Sequence, residues 1–241
     1  VNHPLGVLVT GIEHSGTTLL SLLLGRHPQL CGGFECGLLL ADSPKDFAKL
    51  EPWHQWMMDP IEIGHWGIPK SAMHEITESA DWAGAYQKII EHSPLFGRPD
   101  QRVIDKSPRY RLNLSEILDK VPEEIRCLVI EKTLENLWLS FRKRTDFEDY
   151  AGRCRLYRAT RRRALAKHGD RIRIIRYENL CTRVVEEMRA AFSFLELEFR
   201  EEFVPDAVDI EEYYRVGTDV CLPDEELRAI ENLRKELSSE N

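Results

Sequence analysis

The stretch Val7-Leu-Val-Thr-Gly11-Ile-Glu-His-Ser-Gly16-Thr-Thr-Leu-Leu-Ser-Leu-Leu-Leu24 constrains this chain more than any other. Its short apolar, β-branched run predicts a buried strand, the glycines at 11 and 16 bracket a tight loop, and the apolar run from Thr17 predicts a helix. The frame Gly11-x-x-x-x-Gly16, followed by Thr17 and Thr18, is the layout of a phosphate-binding loop with Thr17 at the usual lysine position. Backbone N–H groups in such a turn, with the positive end of the next helix, make a pocket for oxyanions. The missing lysine is the one that reaches the β- and γ-phosphates of a triphosphate. The loop therefore suits a shorter anion, with one phosphate and one further leaving group. An ordinary strand-to-helix turn without a ligand is the competing reading of the same residues.

The remaining pattern alternates strands and helices. Strands are expected over 102–108, ending in a polar turn, and over 126–130 and 171–175, and helices over 79–92, 150–167, 184–195 and 222–233. Asn113 is placed to cap a helix through Ile117 and Leu118, and 133–144 reads as a helix leaving the third strand. Such alternation calls for crossover connections and a parallel sheet. The fold class is α/β: a P-loop-like, three-layer arrangement with a central parallel sheet flanked by helices. The 241 residues suit a single domain, 1–241, within which 41–100 loses clear periodicity and reads as an irregular insertion on the acceptor side.

Net charge is −8, which argues against general nucleic-acid binding, so any bound polyanion needs a local basic pocket. No run reaches the length of a membrane helix, and no leader pattern precedes the first strand. The six cysteines are dispersed rather than set at metal spacings, so no metal site is expected and the thiols read as reduced and structural. The run Arg161-Arg162-Arg163 reads mainly as a solvated helix face.

Several polar residues fall where strands end. Lys106 closes the second expected strand and would point an ammonium at an anion in the loop, since open parallel sheets bind ligands at their carboxyl edge. Lys132 closes the third, and Ser140 and Arg144 share a helical face near it, so the three could grip a second phosphate. Glu35, in the loop Cys31-Gly-Gly-Phe-Glu35, is either an acid or base for the site or a solvated carboxylate.

Together these residues resemble the sulfotransferases that use 3′-phosphoadenosine 5′-phosphosulfate (PAPS), over most of the chain. Ser15-Gly16-Thr17-Thr18 is similar to that family's 5′-phosphosulfate loop, with His14 where Lys or Arg is usual. Lys132 with Ser140 resembles its 3′-phosphate motif, whose first position is commonly Arg. Arg144 matches a further basic position of the tyrosylprotein and bacterial branches. Tyr177 in Arg-Tyr-Glu-Asn-Leu resembles a segment on the adenine side, and Arg215-Val-Gly217 echoes a late Arg-x-Gly at the 3′-phosphate.

The small-molecule branch carries its base in Lys-Thr-His. Here the triplet is Lys106-Ser107-Pro108, and the tyrosylprotein branch's Cys-Gly-Glu-Glu is instead approached, one residue offset, by Cys31-Gly-Gly-Phe-Glu35. The resemblance implies sulfuryl transfer by in-line displacement, with Glu35 as general base and Lys106 and His14 meeting developing charge. Ser15, Gly16, Thr17, Thr18, Lys132, Ser140, Arg144, Tyr177 and Arg215 would bind the donor. It implies PAPS as donor, PAP (adenosine 3′,5′-bisphosphate) as product and no metal. The partner would be a hydroxyl acceptor that is a small molecule, carbohydrate, lipid or peptide tyrosine, and a homodimer is allowed. The location would be cytoplasmic, or lumenal if a membrane anchor has been trimmed. A P-loop small-molecule kinase and a catalytically idle nucleotide-binding protein are the alternatives.

Overall fold

The computed structural model describes residues 3–142, 150–204 and 224–239. Five strands form one parallel sheet in the order β2-β3-β1-β4-β5: β1 Leu5–Gly11, β2 Leu30–Cys31, β3 Arg102–Lys106, β4 Cys127–Glu131 and β5 Ile172–Arg176. The chain places β2 and β3 on one side of β1 and then crosses to lay β4 and β5 on the other. All loops that follow the central strands therefore open on one edge, where parallel sheets bind ligands.

Period-two alternation feeds two apolar layers. Val7, Val9, Ile104, Leu128, Ile130 and Ile175 face helices α1 (Thr17–Leu24), α8 (Tyr177–Thr182) and α9 (Val184–Phe194). Leu8, Val103, Cys127 and Val129 face the other way, against α3 (Lys70–Thr77), α4 (Trp82–His92), α5 (Leu114–Asp119) and α7 (Tyr150–His168). Both sheet faces are thus covered, which is why these strands read as apolar runs rather than as alternating ones. A third cluster joins Ile12 to α6 (Leu134–Phe141), α7 and α10 (Asp224–Ser239) above the carboxyl edge of the sheet.

Four expectations change. Cys31, read as the start of a loop, instead ends the edge strand β2, in which Leu30 and Cys31 pair with Arg102 and Val103. The 41–100 stretch is less irregular than expected, holding α2 (Trp53–Met58) and α3 as well as α4, with short 3₁₀ turns. Asn113 makes no side-chain cap on α5. Arg161 is not only a solvated-face residue, because its guanidinium pairs with the nearly buried Glu131 at the end of β4. No helix among the described residues is long and apolar enough to cross a membrane.

Candidate functional site

The loop between β1 and α1 has two left-handed residues, His14 (φ 65°) and Gly16 (φ 105°). Glycine takes that conformation without strain, whereas a histidine held there is uncommon and over-determined by its surroundings. A Cβ on Gly16 would come within 2.5 Å of the Tyr177 ring, and one on Gly11 within 2.5 Å of Ser15 Oγ. Helix α1 starts with no side-chain cap and no acidic residue in its first turn, so no protein carboxylate competes for its N-terminal N–H groups. Ser15 Oγ is buried without a hydrogen-bond partner among the described residues, an unpaired polar atom that an oxyanion would satisfy.

Tyr177 connects this loop to the end of β4. Its ring packs on Gly16, and Lys132 Nζ lies 4.1 Å from its centroid. The same ammonium donates to Ser140 Oγ at 3.0 Å. Glu178 fixes the arrangement by accepting from the Thr133 N–H and from Asn136 Nδ2, each at 2.9 Å, which ties the start of α6 to α8. Gly16, Tyr177, Lys132 and Ser140, expected from the sequence to serve one ligand, therefore lie together on one side of the sheet. Beside Lys132 opens a cleft of about 270 Å³ bordered by Arg158, Arg161, Arg176 and Arg234, with Glu131 among them. An acidic chain thus gathers a local excess of positive charge at this edge. Arg144 and Arg215 lie outside the described residues.

On the other side of β1 stand Lys106 and Glu35. Lys106 is paired in register with Val9, and the Thr10 hydroxyl donates to the Ser107 carbonyl at 2.9 Å, locking the ends of β1 and β3. Lys106 Nζ is nearly buried, 3.7 Å from Glu35 Oε1 and 4.3 Å from the Phe34 ring centroid. Trp53 Nε1 donates to Glu35 Oε2 and Trp66 Nε1 to the Glu35 carbonyl, both at 3.3 Å. Gly37, at φ 66°, permits this, since a Cβ there would fall 2.2 Å from the Trp53 ring. Burial raises the Glu35 carboxyl above its ordinary value, against the opposing pull of the Lys106 charge and the Trp53 hydrogen bond. Burial likewise lowers Lys106 to about 8, with Glu35 opposing. A desolvated carboxylate beside a buried ammonium is an arrangement suited to proton transfer.

His14 makes an edge contact with Phe141, centroids 5.1 Å apart. Thr17 is buried and Thr18 exposed at the start of α1. The sequence reading passed over Glu13, which takes a 2.6 Å hydrogen bond from the buried Arg111 and holds the loop from above β3. It also passed over Trp53, Trp66 and Gly37 as partners of Glu35. Their only signal was the density of tryptophan after residue 50. No group of side chains suited to hold a metal occurs among the described residues.

The model of the sulfotransferase family matches residues 4–125, half of the chain. Among solved structures, the sulfotransferase domain of the Synechococcus PCC 7002 olefin synthase is similar at TM-score 0.57 and 20% identity, over 95% of this chain and 94% of that one. The Alicyclobacillus acidocaldarius sulfotransferase is similar at TM-score 0.56 and 17% identity, over 99% and 91%. The sulfotransferase domain from the curacin biosynthetic pathway is similar at 0.55 and 14%, over 99% of both chains. At these identities the likeness is one of fold. No curated protein matches the chain. The loop of β1, Glu35 and Lys106 all fall inside the matched half, and the chain belongs to the sulfotransferase family.

Proposed function

We propose that the protein transfers a sulfuryl group from PAPS to an acceptor hydroxyl by in-line displacement, with Glu35 as general base. The observation that carries this reading is the Tyr177 ring, which touches Gly16 on one side and the Lys132 ammonium on the other. The ring thus contacts both a loop suited to an oxyanion and a lysine ammonium, an arrangement that supports a nucleotide phosphorylated at both its 5′ and 3′ positions. The unpaired Ser15 Oγ and the uncapped start of α1 fit a 5′-phosphate, and Lys132 with Ser140 fit a 3′-phosphate. The donor supplies an activated sulfuryl group on a phosphate that leaves as part of PAP.

The chain's own residues then do three things. The N–H groups of the loop, Ser15, Thr17 and Thr18 orient the donor's 5′ end, which lowers the entropic cost of reaction. Glu35 accepts the acceptor hydroxyl's proton, a role suited to a carboxyl raised by burial. Lys106 and His14 meet negative charge where the bridging oxygen departs, and the near-complete burial of Lys106 strengthens that interaction. Acceptors remain hydroxyl compounds as a class, entering from the 41–100 side where Phe34, Trp53, Trp56 and His65 pack on one another.

The test is Glu35→Gln with radiolabelled sulfate donor and a panel of phenol, carbohydrate and peptide acceptors. Turnover should drop by about 10² to 10⁴-fold, the usual worth of a general base, while PAP affinity is retained. Turnover at the unsubstituted level would remove Glu35 from the mechanism.

A further inference from the structure

Asp105 is the one fully buried carboxylate in β3, and the proposed chemistry does not use it. It precedes Lys106, so its side chain leaves the opposite face of the sheet. Its Oδ2 accepts from the hydroxyl of Tyr110 at 2.7 Å and from that of Tyr86. The Tyr110 hydroxyl in turn accepts from the Leu39 N–H at 3.1 Å. One residue along β3, the Lys106 carbonyl accepts from the Cys36 N–H at 3.2 Å. The segment that follows Glu35 is therefore pinned at Cys36 by the backbone of Lys106 and at Leu39 by Asp105 acting through Tyr110.

Between the two pins lies Gly37, the bare backbone against which Trp53 packs while its indole holds the Glu35 carboxylate. We infer that Asp105 is a positioning residue: through Tyr110 it sets the path of residues 36–39, and through Trp53 on Gly37 it sets where the Glu35 carboxylate stands. The inference rests on Glu35 being the base. Both hydroxyls donate to one oxygen, Oδ2, and the charge of a carboxylate strengthens the pair of bonds. With its proton committed to Asp105, the Tyr110 oxygen presents a lone pair to Leu39, and chained hydrogen bonds in a dry interior reinforce one another.

Two variants test it in the intact chain. Tyr110→Phe keeps the ring in the core and deletes the single oxygen that links Asp105 to Leu39, while Asp105→Asn removes the charge. Tyr110→Phe should lower kcat by about 10 to 100-fold, the scale of a misplaced catalytic group, with PAP affinity within about twofold of the parent. The indole N–H resonance of Trp53 should move in the same variant, and the acid limb of the kcat profile should shift with it. Asp105→Asn, where it folds, should reproduce all three effects.

A lowered melting temperature with unchanged kcat, pH profile and Trp53 resonance would assign Asp105 to stability alone and overturn the inference. The Trp53 resonance also separates this failure from a failure of the base assignment. Should Glu35→Gln retain full turnover, the base reading falls. Movement of Trp53 in Tyr110→Phe would still support the positioning, and its absence would still refute it.

Discussion

Glu35 is held between opposing influences, and its pH behaviour follows from them. Burial raises its carboxyl, whereas the Lys106 ammonium and the Trp53 indole pull it down. A base must be ionised, so turnover should rise on the acid side at a pH above the ordinary glutamate value of about 4.3. Lys106 must stay charged to meet the leaving oxygen, so turnover should fall as pH passes about 8. The kcat profile is thus expected to be bell-shaped. In Lys106→Arg the guanidinium keeps its charge and the alkaline limb should recede, which a profile to pH 10 would show. In Trp53→Phe one hydrogen bond that favours the ionised form is lost, so the acid limb should move up, and an unmoved limb would contradict the assigned partner.

At this scale the sequence was informative where chemistry is local. The turn from Gly11 to Thr18 could be read because its conformation is set by its own backbone. Glu35 was reached by resemblance, one residue off register, and Lys106 by its place at a strand end. Trp53, Trp66 and Tyr110 were not legible as supports of the Glu35 segment, since the indole contacts depend on how 41–100 folds back and the Tyr110 hydroxyl reaches Leu39 across 71 positions.

Helices α6 and α8 set the other half of the site, and their junction is a single carboxylate. Glu178 accepts from the N–H of Thr133, the residue that caps α6, and from Asn136 Nδ2, so it braces that cap from a neighbouring helix. Glu178→Ala should cost about 1 kcal/mol of stability, the usual worth of a cap, and weaken PAP binding several-fold by loosening Lys132 from Tyr177. Paired calorimetric titration and thermal unfolding would check both, and unaltered PAP affinity would show that α6 holds Lys132 unaided.

Gly16→Ala should do more. It adds left-handed strain of about 1 to 3 kcal/mol and drives a methyl into Tyr177, so both stability and PAP affinity should fall, measured the same way. Elements were readable from sequence where they are long, as in α7, or amphipathic, as in α9. Two residues of β2 carry no alternation to detect, and only pairing with Arg102 and Val103 makes them a strand. The arginine run of α7 was misjudged in part because a buried partner, Glu131, belongs to a strand 30 residues earlier.

Across the whole molecule, strand order divides labour along one edge. β1 lies between a β3 side, where Glu35 and Lys106 pair, and a β4–β5 side, where Lys132, Ser140 and Tyr177 gather near the loop of β1. The alternating pattern of the chain was enough to anticipate a parallel sheet. It could not give the order of the strands, which is fixed by which apolar faces pack together.

The central claim is that the loop at Gly16 and the cation at Lys132 hold two ends of one nucleotide. Calorimetric titration with PAP, adenosine 5′-phosphate and ATP, repeated on Lys132→Ala, tests it most directly. PAP should bind at least about tenfold more tightly than the other two, a difference of roughly 1.4 kcal/mol, and that preference should vanish in Lys132→Ala. Equal affinity for the three nucleotides in the unsubstituted protein, or a PAP preference that survives the loss of Lys132, would contradict it.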